Sequence, residues 1–278
     1  MRLVGGVRAE IKAKNLPLVA AGVAFYGLLA IFPALIAVVT LYGLVADPET
    51  ISAQISDATA ALPTEASDLL TSQLAAVAAV GADRLSFGLV ISLAATVWAS
   101  AGGVRAIATG LNLIDGVEAA RGLVKRAGVS LALTLGAMVE AVVMLTLVAG
   151  FPVVVDRLGL DPVAAALAQG LRWVLLVVAL GVGLAVLYRW APDRPPPRWR
   201  WLSWGTVSAI VLWALGSVGF AVYVDNFGSY NSTYGSIAAV IVLMLWLFLS
   251  AFAVLFGAVV DAVRDRDKDV TEATRTAR

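Results

Sequence analysis

The sequence contains neither histidine nor cysteine among its 278 residues. Without cysteine the chain has no disulfide bonds, no thiolate chemistry and no iron–sulfur ligation, and its redox compartment is left undetermined. Without histidine as well, zinc hydrolase sites and general base catalysis by histidine are excluded. We therefore expect no enzymatic activity, no bound metal and no cofactor.

Charged residues are also scarce, at 14% of the chain against 60% apolar residues, and the mean hydropathy is +0.90. A soluble domain of this length needs a far larger polar surface, so the composition predicts a membrane protein. A cleavable signal has an apolar stretch of roughly 7–15 residues. The apolar stretch here runs from Leu16 to about Val45, which predicts a retained spanning helix.

The predicted fold class is all-α, a polytopic membrane protein with six spanning helices. A span takes about 20 mostly apolar residues, and six windows within the domain 16–262 meet this: 16–45, 86–114, 127–155, 171–190, 202–224 and 235–262. The extracytoplasmic segment 47–84 has apolar residues at helical spacing, which predicts two amphipathic helices that lie on the membrane surface or cap the bundle. The arm 1–15 precedes the domain. The tail 263–278 alternates in sign and is expected to be disordered.

The distribution of basic residues predicts that both termini are cytoplasmic. With the six windows in place, only Arg84, Arg157 and Arg172 of the 20 Lys and Arg residues lie on the opposite side from the N-terminus. Cytoplasmic connections carry the excess of Lys and Arg. The connection YRWAPDRPPPRWRW, between the fourth and fifth windows, adds tryptophans that favour an interfacial anchoring belt, with an anionic-lipid site as the alternative.

Glu140 places a charge inside the third window, where inserting a carboxylate costs at least ~2.5–3.5 kcal/mol. Counting from the start of the window at ~1.5 Å per residue places it roughly 20 Å deep. Gly128, Ala132 and Gly136 precede it at i, i+4 steps. Because small residues let a neighbouring helix approach closely, this row predicts that Glu140 faces the bundle and not the lipid.

Arg105 in the second window is the natural partner of Glu140, and Tyr26 in the first window lies at a similar depth. One interpretation is that Glu140 is protonated or paired and holds helices together. The other is that Glu140 and Arg105 line a water-accessible pathway or a proton relay. Pro33 in the first window predicts a kink near mid-span, which is either a shape adjustment or a hinge that lines a cavity.

A short polar turn, DNFGSYNSTYGS, precedes the sixth window. Its hydroxyl and amide side chains suit helix capping, and its tyrosines suit the membrane interface. One interpretation is a capped, anchored turn. The other is that the last helix begins below the surface and faces a polar vestibule that favours an anionic group. The candidate residues are Asp225, Tyr230, Asn231, Thr233, Tyr234, Gly235 and Ser236.

Four segments resemble a known family, in the same order along the chain: AFYGLLAIFPALIAV, GLNLIDGVEAARGLVKR, LYRWAPDR and YNSTYGSIAAVIVLMLWLFLSAFAVLFGA. They are similar to the YihY/BrkB family of bacterial multi-pass membrane proteins, the virulence factor BrkB-like proteins, whose legacy name is ribonuclease BN. Family members often continue the last helix as Gly-Ala-Glu-Leu-Asn-Ala. This chain reads GAVVDAV, with Val259 at the Glu position and Asp261 at the Asn position, so any role of that Glu is not transferred.

The resemblance implies six spans in the bacterial cytoplasmic (inner) membrane, and a role in transport of lipid-like or small solutes or in envelope robustness. A nuclease needs a metal cluster or an acid–base pair beside a basic surface. The cytoplasmic carboxylates form no such pattern, so we expect no nucleic-acid partner. The leading hypothesis is a transporter or lipid translocase that contacts membrane lipids. The alternative is an envelope-integrity scaffold or a partner-binding membrane protein. Substrate, direction, energy coupling and oligomeric state, a homo-oligomer included, stay open.

Overall fold

The computed structural model of the chain describes residues 2–43, 87–117, 121–159, 161–194, 203–226 and 236–276. Within these ranges the regular structure is helical, as the predicted all-α class requires. The helices are α1 (Arg2–Ala13), α2 (Leu16–Gly43), α3 (Phe87–Asp115), α4 (Leu123–Leu145), α5 (Phe151–Arg157), α6 (Pro162–Trp190), α7 (Trp204–Asn226) and α8 (Ser236–Thr276), with a π-helix at Thr146–Gly150 between α4 and α5.

Four stretches of the described residues are long and apolar enough to cross a membrane, with mean hydropathies from 2.0 to 2.7: Leu123–Val148, Pro162–Trp190, Trp204–Val224 and Val240–Lys268. The pair Leu3–Ala13 and Leu16–Ile31 adds a fifth if the two pieces are taken as one bent span. The multi-pass architecture is therefore confirmed. The count of six and the cytoplasmic termini remain predictions.

The contacts divide the chain into two units, residues 1–28 with 103–278, and residues 29–102. The second unit holds the later part of α2, with Pro33 inside it, and the first part of α3. The contacts that follow belong to the first unit. The predicted amphipathic segment 47–84 lies outside the described residues.

The chain turns sharply between α1 and α2, whose axes differ in direction by 59°. Asn15 at this corner has a φ of 48°, in the left-handed region that asparagine adopts more readily than most residues. Its carbonyl accepts the amide of Leu18 at 2.9 Å, the first bond of α2. The predicted arm 1–15 is therefore largely a helix with a defined end.

The end of the chain differs from the prediction of a disordered tail. Helix α8 continues to Thr276. Two contacts with α1 hold the beginning of this extension: Val263 lies 3.0 Å from a Cβ built on Gly6, and Arg266 forms an ion pair with Glu10. The predicted tail therefore begins as a helix that packs against α1.

Helix α8 also supplies much of the apolar core. Leu255 and Val259 are fully buried, together with residues of α2 and α3. A Cβ built on Gly110 of α3 would lie 2.9 Å from Leu255 and 3.2 Å from Val19. Helix α3 therefore approaches both α2 and α8 closely at Gly110.

Helices α7 and α8 meet backbone to backbone at two glycines. A Cβ built on Gly205 would collide with the carbonyl oxygen of Gly257, and a Cβ on Gly257 would collide with that of Gly205. Further along the same pair, Gly216 lies against Leu249. Small residues permit this close approach in membrane helices, so the glycines set the separation of α7 and α8.

Between α4 and α5 the chain forms a π-helix just before a proline. Pro152, the second residue of α5, has no amide hydrogen to donate to the preceding turn. The π-helix directly before it has a wider turn, in which each amide bonds the carbonyl five residues back. The change of winding accommodates the missing donor, so helical structure continues through the predicted window 127–155.

We predict that Gly257→Ala destabilises the protein, because the added methyl group meets a backbone oxygen that cannot move without separating α7 from α8. Overpacking of this kind costs roughly 1–3 kcal/mol, which lowers the Tm by roughly 2–10 °C. The measurement is thermal unfolding of detergent-solubilised protein by tryptophan fluorescence. The matched control is Gly219→Ala in α7, where a Cβ has nothing within 4 Å. An equal Tm for the two variants would contradict the prediction.

Candidate functional site

Glu140 lies against a glycine of the neighbouring helix. Its carboxylate, on α4, occupies the place that the Cβ of a larger residue would take at Gly183 of α6. The side chain of Glu140 is half-buried, and α4 packs along α6. The acid of the predicted third span therefore faces a neighbouring helix, and the contact depends on the absence of a side chain at residue 183.

The contact also gives a second estimate of the depth of the carboxylate. Gly183 lies seven residues before the end of α6, which is about 10 Å of helical rise. Counting along the third window gives roughly twice this depth. Part of the difference arises because helical side chains point towards the N-terminus of their own helix.

The row of small residues on α4 does not make this contact, and the prediction that it does is wrong. Gly128, Ala132 and Gly136 are exposed, and nothing lies within 4 Å of a Cβ built on either glycine. An i, i+4 row turns by about 40° around the helix at each step. Gly128 is therefore about 120° away from Glu140. The glycine that admits the carboxylate is on the partner helix.

Arg105 and Glu140 do not form an ion pair among the residues that the structure describes. Arg105 has other interactions, and its carbonyl accepts the hydroxyl of Thr109 at 2.9 Å. Tyr26 is 53% exposed and packs edge-on against Phe25, with 5.6 Å between ring centroids. The pathway role of these residues stays a prediction.

The remaining predicted residues fall partly outside the described ranges. Pro33 lies inside α2, and the kink there stays a prediction. Ser236 is the first residue of α8, and Asp225 lies next to the end of α7, so both helices end at the predicted turn. The other members of the turn lie outside the described residues: Tyr230, Asn231, Thr233, Tyr234 and Gly235.

A group of charged and amide side chains joins the ends of α3 and α6 to the start of α4. We refer to Asn112, Asp115, Arg121, Asp193 and Arg194 as the ionic cluster. Arg121 donates to the carbonyls of Trp190 at 2.9 Å and Pro192 at 2.6 Å. It also lies 3.4 Å from the carboxylate of Asp193, whose side chain is 3% exposed. The last carbonyls of a helix lack partners within it, and cations are favoured there, so Arg121 caps α6.

Helix α3 holds the same connection from the other side. The amide of Asp193 donates to Oδ1 of Asn112 at 2.7 Å, and Nε of Arg194 lies 3.0 Å from Oδ2 of Asp115. Burial raises the pKa of the Asp115 carboxyl, although Arg194 and Arg266 act in the opposite direction. The segment after α6 is therefore fixed by both α3 and the residue that leads into α4.

A second polar contact joins α6, α7 and α8. The hydroxyl of Tyr188 donates to the carbonyl of Val254 at 2.6 Å, and the amide of Gly205 donates to Oδ1 of Asp261 at 2.8 Å. Asp261, on α8, thus accepts a hydrogen bond from an amide in the first turn of α7, which has no partner within α7 itself. Val259, at the position where the family often has Glu, is fully buried in the core.

Sequence reasoning missed the ionic cluster, because its charges were counted only for orientation and tested only as metal ligands. The available signal was a pair of connections, IDGVEAARG and APDRP, that each carry both signs of charge. Charges of both signs at two helix ends on the same predicted side of the membrane can pair with each other. Among the described residues, no group of three or more acidic side chains could hold a metal ion.

A groove of about 280 Å³ opens between α7 and α8. Its lining contains no charged residue, and it does not include Glu140. The groove therefore differs from the polar cavity that a pathway through Glu140 requires. The lining residues are Leu212, Gly216, Phe220, Tyr223, Leu245, Phe248, Leu249 and Phe252.

We predict that Arg121→Gln destabilises the fold by about 3 kcal/mol, since it leaves a buried Asp193 carboxylate and two helix-end carbonyls without their cation. Thermal unfolding of the solubilised protein measures the loss. The matched control is Lys125→Gln, an exposed cation at the start of α4, four residues after Arg121. If both variants unfold at the wild-type temperature, Arg121 does not hold the end of α6.

Comparison with known proteins gives related sequences and no related experimental fold. A ribonuclease-like protein of Bacillus subtilis, YfkH, is 31% identical over 193 residues, which cover 68% of this chain and 68% of that protein. UPF0761 membrane proteins match over shorter stretches. The one from Tolumonas auensis is 37% identical over 82 residues, 30% of this chain and 26% of the relative. The one from Idiomarina loihiensis is 32% identical over 87 residues, 31% of this chain and 30% of the relative. No solved structure matches.

The chain also matches a protein family over most of its length. The family described as Virulence factor BrkB matches residues 7–278, nearly the whole chain. This agrees with the four segments that carry the resemblance in the sequence and with the apolar helices of the structure. The chain belongs to the BrkB virulence factor family of membrane proteins.

Proposed function

We propose that the protein moves a lipid-like or small solute across the bacterial inner membrane, along a route that includes the seam between α4 and α6. The observation that carries the proposal is the Glu140 carboxylate in contact with Gly183. Both residues lie inside apolar stretches long enough to span a membrane. A carboxylate in that position is costly, and polar groups inside spans mark substrate and ion pathways.

The absence of a described partner strengthens this interpretation. A structural carboxylate offsets its insertion cost by pairing with a cation or by hydrogen bonding. The ion pairs and hydrogen bonds of the described residues include neither for Glu140, whereas Asp193 and Asp261 have such partners. An acid that is left unpaired at the seam is available to a proton or to a cationic group of a solute.

The rigid parts of the bundle support the same proposal. The ionic cluster fixes α6 at one end, and the glycine contact fixes α7 on α8. By contrast, α4 meets a glycine of α6 through a charged side chain, and continues into a π-helix, a local geometry that is frequent at functional sites. Movement of α4 against α6 would therefore disturb fewer backbone-to-backbone contacts than separation of α7 from α8.

The ribonuclease-like name belongs to the Bacillus relative, and we propose no nuclease activity for this chain. Phosphodiester hydrolysis needs metal ligands or an acid–base pair beside an exposed basic surface. The charged residues of the ionic cluster are paired with one another and with backbone carbonyls. They serve helix packing and leave no free pair for catalysis within that cluster.

We predict that Glu140→Gln and Gly183→Ala each lower the transport rate by on the order of 10²-fold. The first removes the charge, and the second moves the carboxylate by placing a methyl group where it lies. The measurement is flux in reconstituted vesicles, with fluorescent phospholipids reduced by external dithionite and with a panel of labelled small solutes. A proton gradient is applied in one arm of each assay.

The matched control is Gly181→Ala, two residues from Gly183, where a Cβ meets only Ile210 at an ordinary 3.8 Å. It should transport at the wild-type rate. Normal flux in Glu140→Gln would remove Glu140 from the route. If the wild-type protein moves none of the lipids or solutes faster than empty vesicles do, the result would instead favour the envelope scaffold.

A further inference from the structure

A second charged side chain lies within a span on the same seam. Arg172 is the eleventh residue of α6. We infer that Arg172 binds a phosphate-type anion, carried by the head group of a membrane amphiphile. This inference rests on the proposed function and gives its substrate class, an amphiphile that bears a phosphate.

Arg172 is too deep in α6 to be an ordinary surface residue. The helix has 29 residues, about 44 Å at 1.5 Å per residue, against a hydrocarbon core of about 30 Å. If the helix is centred in the membrane, Arg172 lies about 8 Å inside the core on the side where α6 begins. A long arginine side chain can reach the head groups from that depth.

Arg172 and Gly183 share one face of α6. Eleven residues at 3.6 residues per turn leave the two positions only about 20° apart around the axis, and about 16 Å apart along it. Leu176 lies between them on that face and is buried. The flanking residues Trp173 and Val174 are 62% and 58% exposed. Arg172 therefore lies on the protected side of the helix, which packs against α4, the π-helix and α5.

The guanidinium has no acidic partner in the described part of the chain. The ion pairs there do not include Arg172, and its Nε is buried without a hydrogen-bond partner. Its described contact is with the ring of Trp173, 5.3 Å from the guanidinium carbon to the ring centroid. An aromatic face holds a guanidinium in place but accepts none of its N–H bonds.

The chemistry of this arrangement favours a phosphate. A planar guanidinium offers two parallel N–H donors that match two oxygens of a phosphate, and such a bond is strong where water is scarce. Gln169, half-buried and one turn closer to the start of α6, carries an amide donor on the same side. At the membrane interface, which the long side chain can reach from this depth, lipid head groups supply phosphates.

The two charges of the seam then act at different depths. A phosphate meets Arg172 first, nearer the start of α6, and a cationic group of the same molecule meets Glu140 about 16 Å further along. A head group that carries both a phosphate and an amine fits both positions in turn. A neutral lipid without phosphate fits neither.

The test compares two lipids that differ only in the phosphate, phosphatidic acid and diacylglycerol with identical acyl chains. Binding to the full chain in detergent is measured by native mass spectrometry. We expect the wild-type protein to bind phosphatidic acid about tenfold more tightly, the value of one charge-assisted bond. Arg172→Gln should lose this preference, and Arg172→Lys should keep part of it. The matched control Arg157→Gln, an exposed arginine at the end of α5, should keep all of it.

Inorganic phosphate distinguishes a lipid head group from a free anion as the source. If millimolar phosphate alone raises the Tm of the wild-type protein and not of Arg172→Gln, the anion site stands, with a free anion as its ligand. An unchanged lipid preference in Arg172→Gln would overturn the inference. If that variant does not accumulate, equal binding of the two lipids by the wild-type protein overturns it without any variant. The two proposals can also fail separately. If Arg172→Gln loses the lipid preference but the wild-type protein shows no flux in the vesicle assay, the anion site stands and the transport proposal fails.

Discussion

The absence of water in the hydrocarbon interior is the constraint on which this structure depends. Every polar group that enters it must find a partner in the chain, reach the interface or serve a ligand. Tyr188 and Asp261 follow the first course, since each bonds a backbone group of another helix. Glu140 has no such partner among the described residues. We therefore assign Glu140 to function, and the partnered polar groups to holding the bundle together.

Glycines allow close contacts between helices at two places, and the contacts differ in kind. At Gly205 and Gly257 the missing side chains let two backbones touch, which gives a contact that cannot slide far without a collision. At Gly183 the missing side chain admits a carboxylate instead. The first kind of contact stabilises one arrangement of two helices. The second places a charged group between two helices.

Much of the architecture could be predicted from the sequence, because long apolar windows leave little choice of structure. The predicted window 202–224 corresponds to α7 with small shifts at both ends, and the window 235–262 corresponds to α8 at its start. The resemblance to the family was predicted from four segments and is confirmed over nearly the whole chain. The continuation of α8 to Thr276 was not predicted, because charge alternation fits both a coil and a helix, and the contact of its first part with α1 cannot be read from the sequence.

The site was less predictable, because it depends on which helices are neighbours. The position of Glu140 on a protein-facing side followed from its cost in lipid, but the row of small residues chosen to explain it winds away around α4. The residue that makes room for the carboxylate is Gly183, one of three glycines between residues 170 and 183 of α6. Nothing in the spacing distinguishes it from the other two. Only the packing of α4 on α6 selects it.

The contact between α1 and α8 has a consequence for biogenesis. Helix α1 packs against α8, through Gly6 with Val263 and Glu10 with Arg266. Glu10 and Arg266 are 256 residues apart, so the contact forms only after the helices between α1 and α8 have been synthesised. Until α8 is made, α1 lacks this partner. Closure of this contact is then a late step in assembly, and a chain truncated before residue 263 would lack the partner that covers α1.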